Sequence, residues 1–142
     1  MSKIKVGIIG VGSCAKSLVE GIQYYNENPE DKIGLMYPDI GGYGTKDIEF
    51  VMGFDIDVRK VNKPLAEALR AAPNCSMNHV ETIYTNGDSN SSCVKSKAMV
   101  YSAPELDGIA PHMHDYPDEV TFVNGAVPAE SFERTVELLQ YH

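Results

Sequence analysis

The chain has 142 residues, 43% of them hydrophobic, and carries a formal net charge of −8. That is about one domain's worth of chain, long enough to bury a core. The negative charge offers no field that would draw in nucleic acid or an anionic membrane, although a small phosphorylated ligand held by backbone groups stays compatible with it. No stretch approaches the ~20 apolar residues of a membrane span.

The N-terminus, "MSKIKVGIIG", does not read as a signal peptide. "IKVGIIG" (Ile4 to Gly10) is short, apolar and rich in β-branched residues, which predicts a buried parallel strand. Behind it, Ala15, Leu18, Val19 and Ile22 recur at helical spacing and predict a helix from about Gly12 to Tyr25. Residues 26–47 are rich in turn formers and read as a long loop or insertion. "IEFVMGFD" (48–55) is a second strand, followed by a helical pattern from about Arg59 to Ala71. Pro64 is tolerable only near a first helical turn, so that helix starts later than its apolar pattern implies. Thr85 to Lys97 form a polar loop, and "AMVYSA" (98–103) is a third strand. The last element, Pro128 to Gln140, spaces Phe132, Val136 and Leu139 helically, with Glu130 early in it.

Strand and helix alternate three times, the mark of an α/β Rossmann-like, doubly wound parallel sheet. No strand follows the last helix, so the fold is expected to be incomplete at its C-terminus: residues 1–142 read as the N-terminal part of a Rossmann domain.

The first strand hands over to its helix through "GIIGVGSCAKSLVEG" (Gly7 to Gly21). Gly10-x-Gly12-x-x-Ala15 matches the dinucleotide fingerprint in its G-x-G-x-x-A form. Gly10 permits the tight turn, Gly12 lets a pyrophosphate approach the backbone, and Ala15 keeps the helix close to the strand. The free N–H groups at the helix start then meet the phosphate charge. The fingerprint also needs an acid at the end of the second strand, to bind ribose hydroxyls. Asp55 is placed for this, about twenty residues later than the usual interval of ~20, and the 26–47 loop accounts for the excess. A carboxylate there disfavours a 2′-phosphate, so NAD is expected over NADP, although Arg59 and Lys60 past the strand are basic groups of the kind that accept NADP. Asp57 is a second acid nearby, better suited to capping the following helix.

Other groups give weaker signals. "HMHD" (His112 to Asp115), with His79 elsewhere, has a metal-like His-x-His, but Pro111 and Pro117 bracket it and no further ligand spacing follows; no metal site is expected. Cys14 lies at a helix start, which lowers a thiol pKa, yet no base is near it in sequence. Ser89, Ser91 and Ser92 lack nucleophile-elbow glycines, and Asp115, Asp118 and Glu119 read as a solvated cluster. Cys14, Cys75 and Cys93 are odd in number and widely spaced, which points to a reducing, cytoplasmic setting.

"GVGSCAKSLVEGIQYY", the long loop, "FVMGFDIDVRKV" and "LDGI" (Leu106 to Ile109) together resemble inositol-3-phosphate synthase of the prokaryotic type. The family's turn reads G-V-G-N-C-A, so Cys14 fits and Ser13 stands where asparagine is usual. The resemblance implies an NAD-dependent isomerase that converts glucose 6-phosphate into 1L-myo-inositol 1-phosphate through oxidation, enolisation, aldol closure and reduction, in a homotetramer. It implies cofactor contacts for Gly10, Gly12, Ser13, Cys14, Ala15 and Asp55, with Asp107 and Gly108 bordering the cofactor. The family's catalytic residues are expected downstream of His142, in a catalytic and tetramerising domain absent here, so the chain alone is expected to be inactive. A non-catalytic nucleotide-binding or regulatory module, or the start of another NAD-dependent dehydrogenase, is the alternative that the turn by itself allows.

Overall fold

A computed structural model describes residues 3–81, 83, 98–105, 110–125 and 128–141. Its elements in chain order are strand β1 (Ile4–Ile9), helix α1 (Ser13–Glu27), strand β2 (Ile48–Asp55), helix α2 (Leu65–Arg70), strand β3 (Val100–Ser102) and helix α3 (Phe132–Tyr141). Short 3-10 turns occupy Thr45–Asp47 and Pro111–Asp115. The three strands are parallel in the order β1-β2-β3, with helices on both faces. This is the expected α/β Rossmann-like arrangement. The polar loop 85–97, with Ser89, Ser91 and Ser92, and "LDGI" lie outside the described residues.

β2 is the centre of the sheet, and its sequence explains how it serves two cores. Val6 pairs with Phe50 but Gly7 pairs with Met52, so Val51 is an extra residue at a bulge. Without the bulge, Phe50, Met52 and Phe54 would share one face. With it, Phe50 faces Val11, Ala15, Val19, Ile22, Leu65 and Leu69 on the α1/α2 side. Met52 and Phe54 turn instead to Leu138 of α3 on the other side.

Several expectations need correction. β1 is an edge strand, paired only with β2 among the described residues, and Ile9 is 78% exposed while Ile8 is buried. α1 buries Lys16, Glu20 and Gln23 beside its apolar residues, and Leu18 is 52% exposed. The reason is that residues 75–81 run along α1 and meet its polar side. Lys16 Nζ donates to the Ser76 carbonyl at 2.6 Å. Glu20 accepts the His79 N–H at 2.8 Å and the Arg70 guanidinium at 3.3 Å. α2 is short and starts after Pro64, as the proline required. In α3, Leu138 is buried rather than Leu139, which is largely exposed. Ser131 Oγ accepts the Arg134 N–H at 3.1 Å, so the helix starts one turn later than the apolar pattern implied. Glu130 lies before it, with its N–H on the Ser102 carbonyl.

A buried ion pair ties the 118–124 segment to the end of β2. Asp57 accepts Arg59 Nε at 2.9 Å and Arg59 NH2 at 2.5 Å, and its Oδ2 also accepts the Val123 N–H at 3.2 Å. The same guanidinium donates to the carbonyls of Asp118 and Thr121. Burial pushes the Asp57 carboxyl up, but these hydrogen bonds and the Arg59 charge outweigh it and hold the pKa below the usual range.

Two predictions follow from this packing. A Cβ on Gly53 would lie 2.9 Å from Val11 Cγ2 and 3.2 Å from Leu65 Cδ1, so Gly53→Ala is expected to destabilise the fold by about 1–3 kcal/mol in urea unfolding. An unchanged midpoint would contradict the close approach of Val11 to β2. For Asp57 the folded pKa is the lower one, so its stabilisation is complete above the unfolded value of about 3.9 and is lost as pH falls through the folded value. Asp57→Asn should cost on the order of 2–3 kcal/mol at pH 7, less than a wholly buried pair because the Arg59 side chain is 25% exposed, and should flatten the loss of stability below about pH 4.

Candidate dinucleotide site

The turn between β1 and α1 is shaped by one residue with unusual backbone and one with unusual surroundings. Gly10 has φ +88°, a conformation that side chains rarely adopt, and its N–H donates to the Phe54 carbonyl at 2.8 Å. Gly12 is the N-cap of α1 with φ −93° and ψ −170°, which any residue can adopt. A Cβ there would meet no atom within 4 Å. Neither conformation nor packing within the described chain therefore requires glycine at position 12. Between them Val11 points inward and is fully buried.

Above Gly12 is the start of a 15-residue helix. No side chain caps it and its first turn holds no acid. The Lys16 N–H begins the helical ladder by bonding to the Gly12 carbonyl at 3.0 Å. The preceding N–H groups have no partner inside a helix, and the dipole places positive potential there. Ala15 is buried against the sheet, as the fingerprint asks. Ser13 and Cys14 sit at the mouth; Cys14 is exposed. Ser13 Oγ accepts the Cys75 N–H at 3.1 Å, which lays residues 74–76 beside the turn. This contact was not legible in the sequence.

Asp55 stands at the C-terminal end of β2, beside the turn, but it is only 6% exposed. Its Oδ2 accepts the Val11 N–H at 2.8 Å, and its Oδ1 accepts the Asp57 N–H at 2.9 Å. Lys60 Nζ lies 3.6 Å from Oδ2, with its side chain fully buried. The carboxylate thus anchors the turn from below. Arg59 and Lys60 are both engaged inside the chain, Arg59 by Asp57 and Lys60 by Asp55, the Val11 carbonyl and Asn74. Asp57 is wholly buried, is paired with the partly exposed Arg59, and heads a turn rather than capping α2. Asn74 is the residue that sequence reasoning missed, and Lys60, which reads in the sequence as a basic group past the strand, is turned inward instead.

Asp107 and Gly108 lie outside the described residues. His112 and His114 fall in a 3-10 turn, not a strand, and both are exposed; His112 stacks edge-on with Tyr116. No helix among the described residues is long and apolar enough to cross a membrane.

Comparison with known proteins bears on this geometry. No family model matches the chain. An inositol-3-phosphate synthase of Corynebacterium glutamicum is 38% identical over 122 residues, covering 84% of this chain and 31% of the relative. One of Mycolicibacterium smegmatis is 36% identical over 115 residues, covering 80% of this chain and 29% of the relative. One of Mycobacterium tuberculosis is 34% identical over 116 residues, with 80% and 29% covered. A solved structure described as the crystal structure of Ari2 superposes with a TM-score of 0.59 at 24% identity, over 99% of this chain and 35% of that one, and supports the fold. The chain spans about three tenths of the length of the curated relatives it matches. Over four fifths of its residues it is homologous to bacterial inositol-3-phosphate synthases, as the glycine turn and "LDGI" implied.

Proposed function

We propose that the turn from Gly10 to Ala15 binds the pyrophosphate of NAD, and that the chain is the cofactor-binding part of an inositol-3-phosphate synthase. The observation that carries this reading is Gly12: a glycine that the chain's own conformation and packing do not require, open to space at an uncapped helix start. A ligand that must touch the backbone gives such a glycine a reason. The relatives' names support synthesis of inositol 3-phosphate. The family resemblance implies the rest: glucose 6-phosphate in, 1L-myo-inositol 1-phosphate out, in inositol and inositol-phospholipid biosynthesis. The complete enzyme is read as a cytoplasmic homotetramer, and this chain as the part that holds the cofactor without performing the turnover alone.

Bound NAD supplies a hydride acceptor that can return the hydride later, so a net isomerisation needs no second redox partner. The residues of this chain hold it still. The N–H groups at Gly12 to Ala15 are read as meeting phosphate oxygens, and an anion at a helix start is worth about 0.3–1 kcal/mol on the dipole, up to about 2 where partly buried. Asp55 spends two hydrogen bonds on the chain itself, and a carboxylate offers about four lone-pair sites, so it retains acceptors for a ribose hydroxyl. Preference for NAD over NADP is supported by the engagement of Arg59 and Lys60, which leaves neither cation free for a 2′-phosphate.

Two glycine variants separate fold from binding. Gly12→Ala should leave the unfolding midpoint nearly unchanged while weakening NAD at least tenfold by calorimetric titration. Gly10→Ala should instead lower stability by about 1–3 kcal/mol, because φ +88° is strained for alanine. Unaltered NAD affinity in Gly12→Ala would remove the main support for the site. In the same titration the wild type should bind NAD at least tenfold more tightly than NADP; equal or reversed affinities would contradict the role given to Asp55 and the two engaged cations.

A further inference from the structure

A lysine whose side chain is fully shielded from water calls for a reason, since burying an ammonium is costly unless it is paired and hydrogen-bonded. Lys60 is paired on every side. Its Nζ donates to the Val11 carbonyl at 3.0 Å and to Asn74 Oδ1 at 3.0 Å, and it faces Asp55 Oδ2 at 3.6 Å. Two of the ammonium's three donors are thus hydrogen-bonded, and the Asp55 carboxylate balances its charge. Asn74 adds a second bond to the same carbonyl, its Nδ2 donating to Val11 O at 3.0 Å and to Leu69 O at 3.0 Å.

The target of these bonds matters more than their number. The Val11 carbonyl and the Gly12 N–H belong to one planar trans peptide, in which C=O and N–H point in opposite directions. A carbonyl drawn inward by Lys60 and Asn74 therefore aims the Gly12 N–H the opposite way, at a residue where a Cβ would meet no atom within 4 Å. The preceding peptide is held as well, because the Val11 N–H is fixed on Asp55.

We propose that Lys60, with Asn74, is a positioning residue for the dinucleotide site: it never touches the cofactor, but it fixes the Val11–Gly12 peptide so that the Gly12 N–H is already aimed at a phosphate oxygen. The inference rests on the dinucleotide reading above. A preset donor binds an anion more tightly than one that must first be ordered, so loss of Lys60 acts on phosphate-bearing ligands and spares adenosine.

The test compares the wild type with Lys60→Met in the full chain. The Asp55 carboxylate keeps the Val11 and Asp57 N–H groups as its donors in that variant and stays in place for the ribose. The expected result is at least tenfold weaker NAD binding in Lys60→Met than in the wild type, with adenosine affinity equal in the two. The ¹H–¹⁵N heteronuclear NOE should fall at Gly12 and Ser13 and stay unchanged at Ala68 and Leu69 in α2. Asn74→Ala, which removes no charge, should give a smaller loss of about threefold with the same selectivity for the phosphate-bearing ligand. Equal NAD affinity in Lys60→Met and the wild type, or a loss shared equally by adenosine, would overturn the role of Lys60 while leaving the site itself in place. A wild-type chain that binds no NAD would overturn the dinucleotide reading and this role with it.

Discussion

The hydrogen bond from the Val11 N–H to the Asp55 carboxylate joins two places 44 residues apart in the chain and sets the geometry of the rest. It draws the glycine turn onto the end of β2. The approach is possible because Gly53 has no side chain where Val11 and Leu65 press in. Once the turn is held there, α1 leaves at an angle that packs Ala15, Val19 and Ile22 over Phe50 and the α2 leucines. The bulge at Val51 then frees Met52 and Phe54 to build a second core with Leu138. The sheet, two helix layers and the mouth of the site share one anchor.

The electrostatics are local and largely internal. The chain carries a net −8, yet the uncapped start of α1 has no acid in its first turn. Charges that would compete with a bound anion or attract a second phosphate are turned inward: Asp55 onto Val11 and Lys60, Asp57 onto Arg59. What remains at the surface of the turn is backbone, with the uncharged side chains of Ser13 and Cys14 beside it. Recognition by backbone N–H groups needs rigidity, because their direction is set only by the peptides behind them. Buried polar groups that look wasteful as stabilisers are well suited to that task.

Much of the architecture was legible in the residues. Apolar β-branched runs, glycine punctuation and helical spacing located the three strands and three helices found among the described residues, because each reflects a local rule of packing or backbone freedom. Gly10 with its positive φ and Ala15 in the core are where the fingerprint predicts them. The failures share another cause: they depend on what a distant segment does. Charge alone argues for exposure of Lys16, Glu20 and Lys60, but residues 74–81 fold across α1 and the turn and supply their partners. Leu18 and Leu139 fit an apolar stripe, yet they are largely exposed, and the burial in α3 goes to Leu138. No periodicity reveals which polar face a remote loop will cover, or that a bulge will change the side of the sheet to which Met52 belongs.

The most direct measurement is an NMR titration of the ¹⁵N-labelled chain with NAD, following every backbone amide. The account predicts the largest shifts at Gly12, Ser13, Cys14 and Ala15, saturating with a single dissociation constant and matched by ADP but not by adenosine alone. Saturable binding with shifts confined to other segments, or no shift in the turn at millimolar NAD, would contradict it.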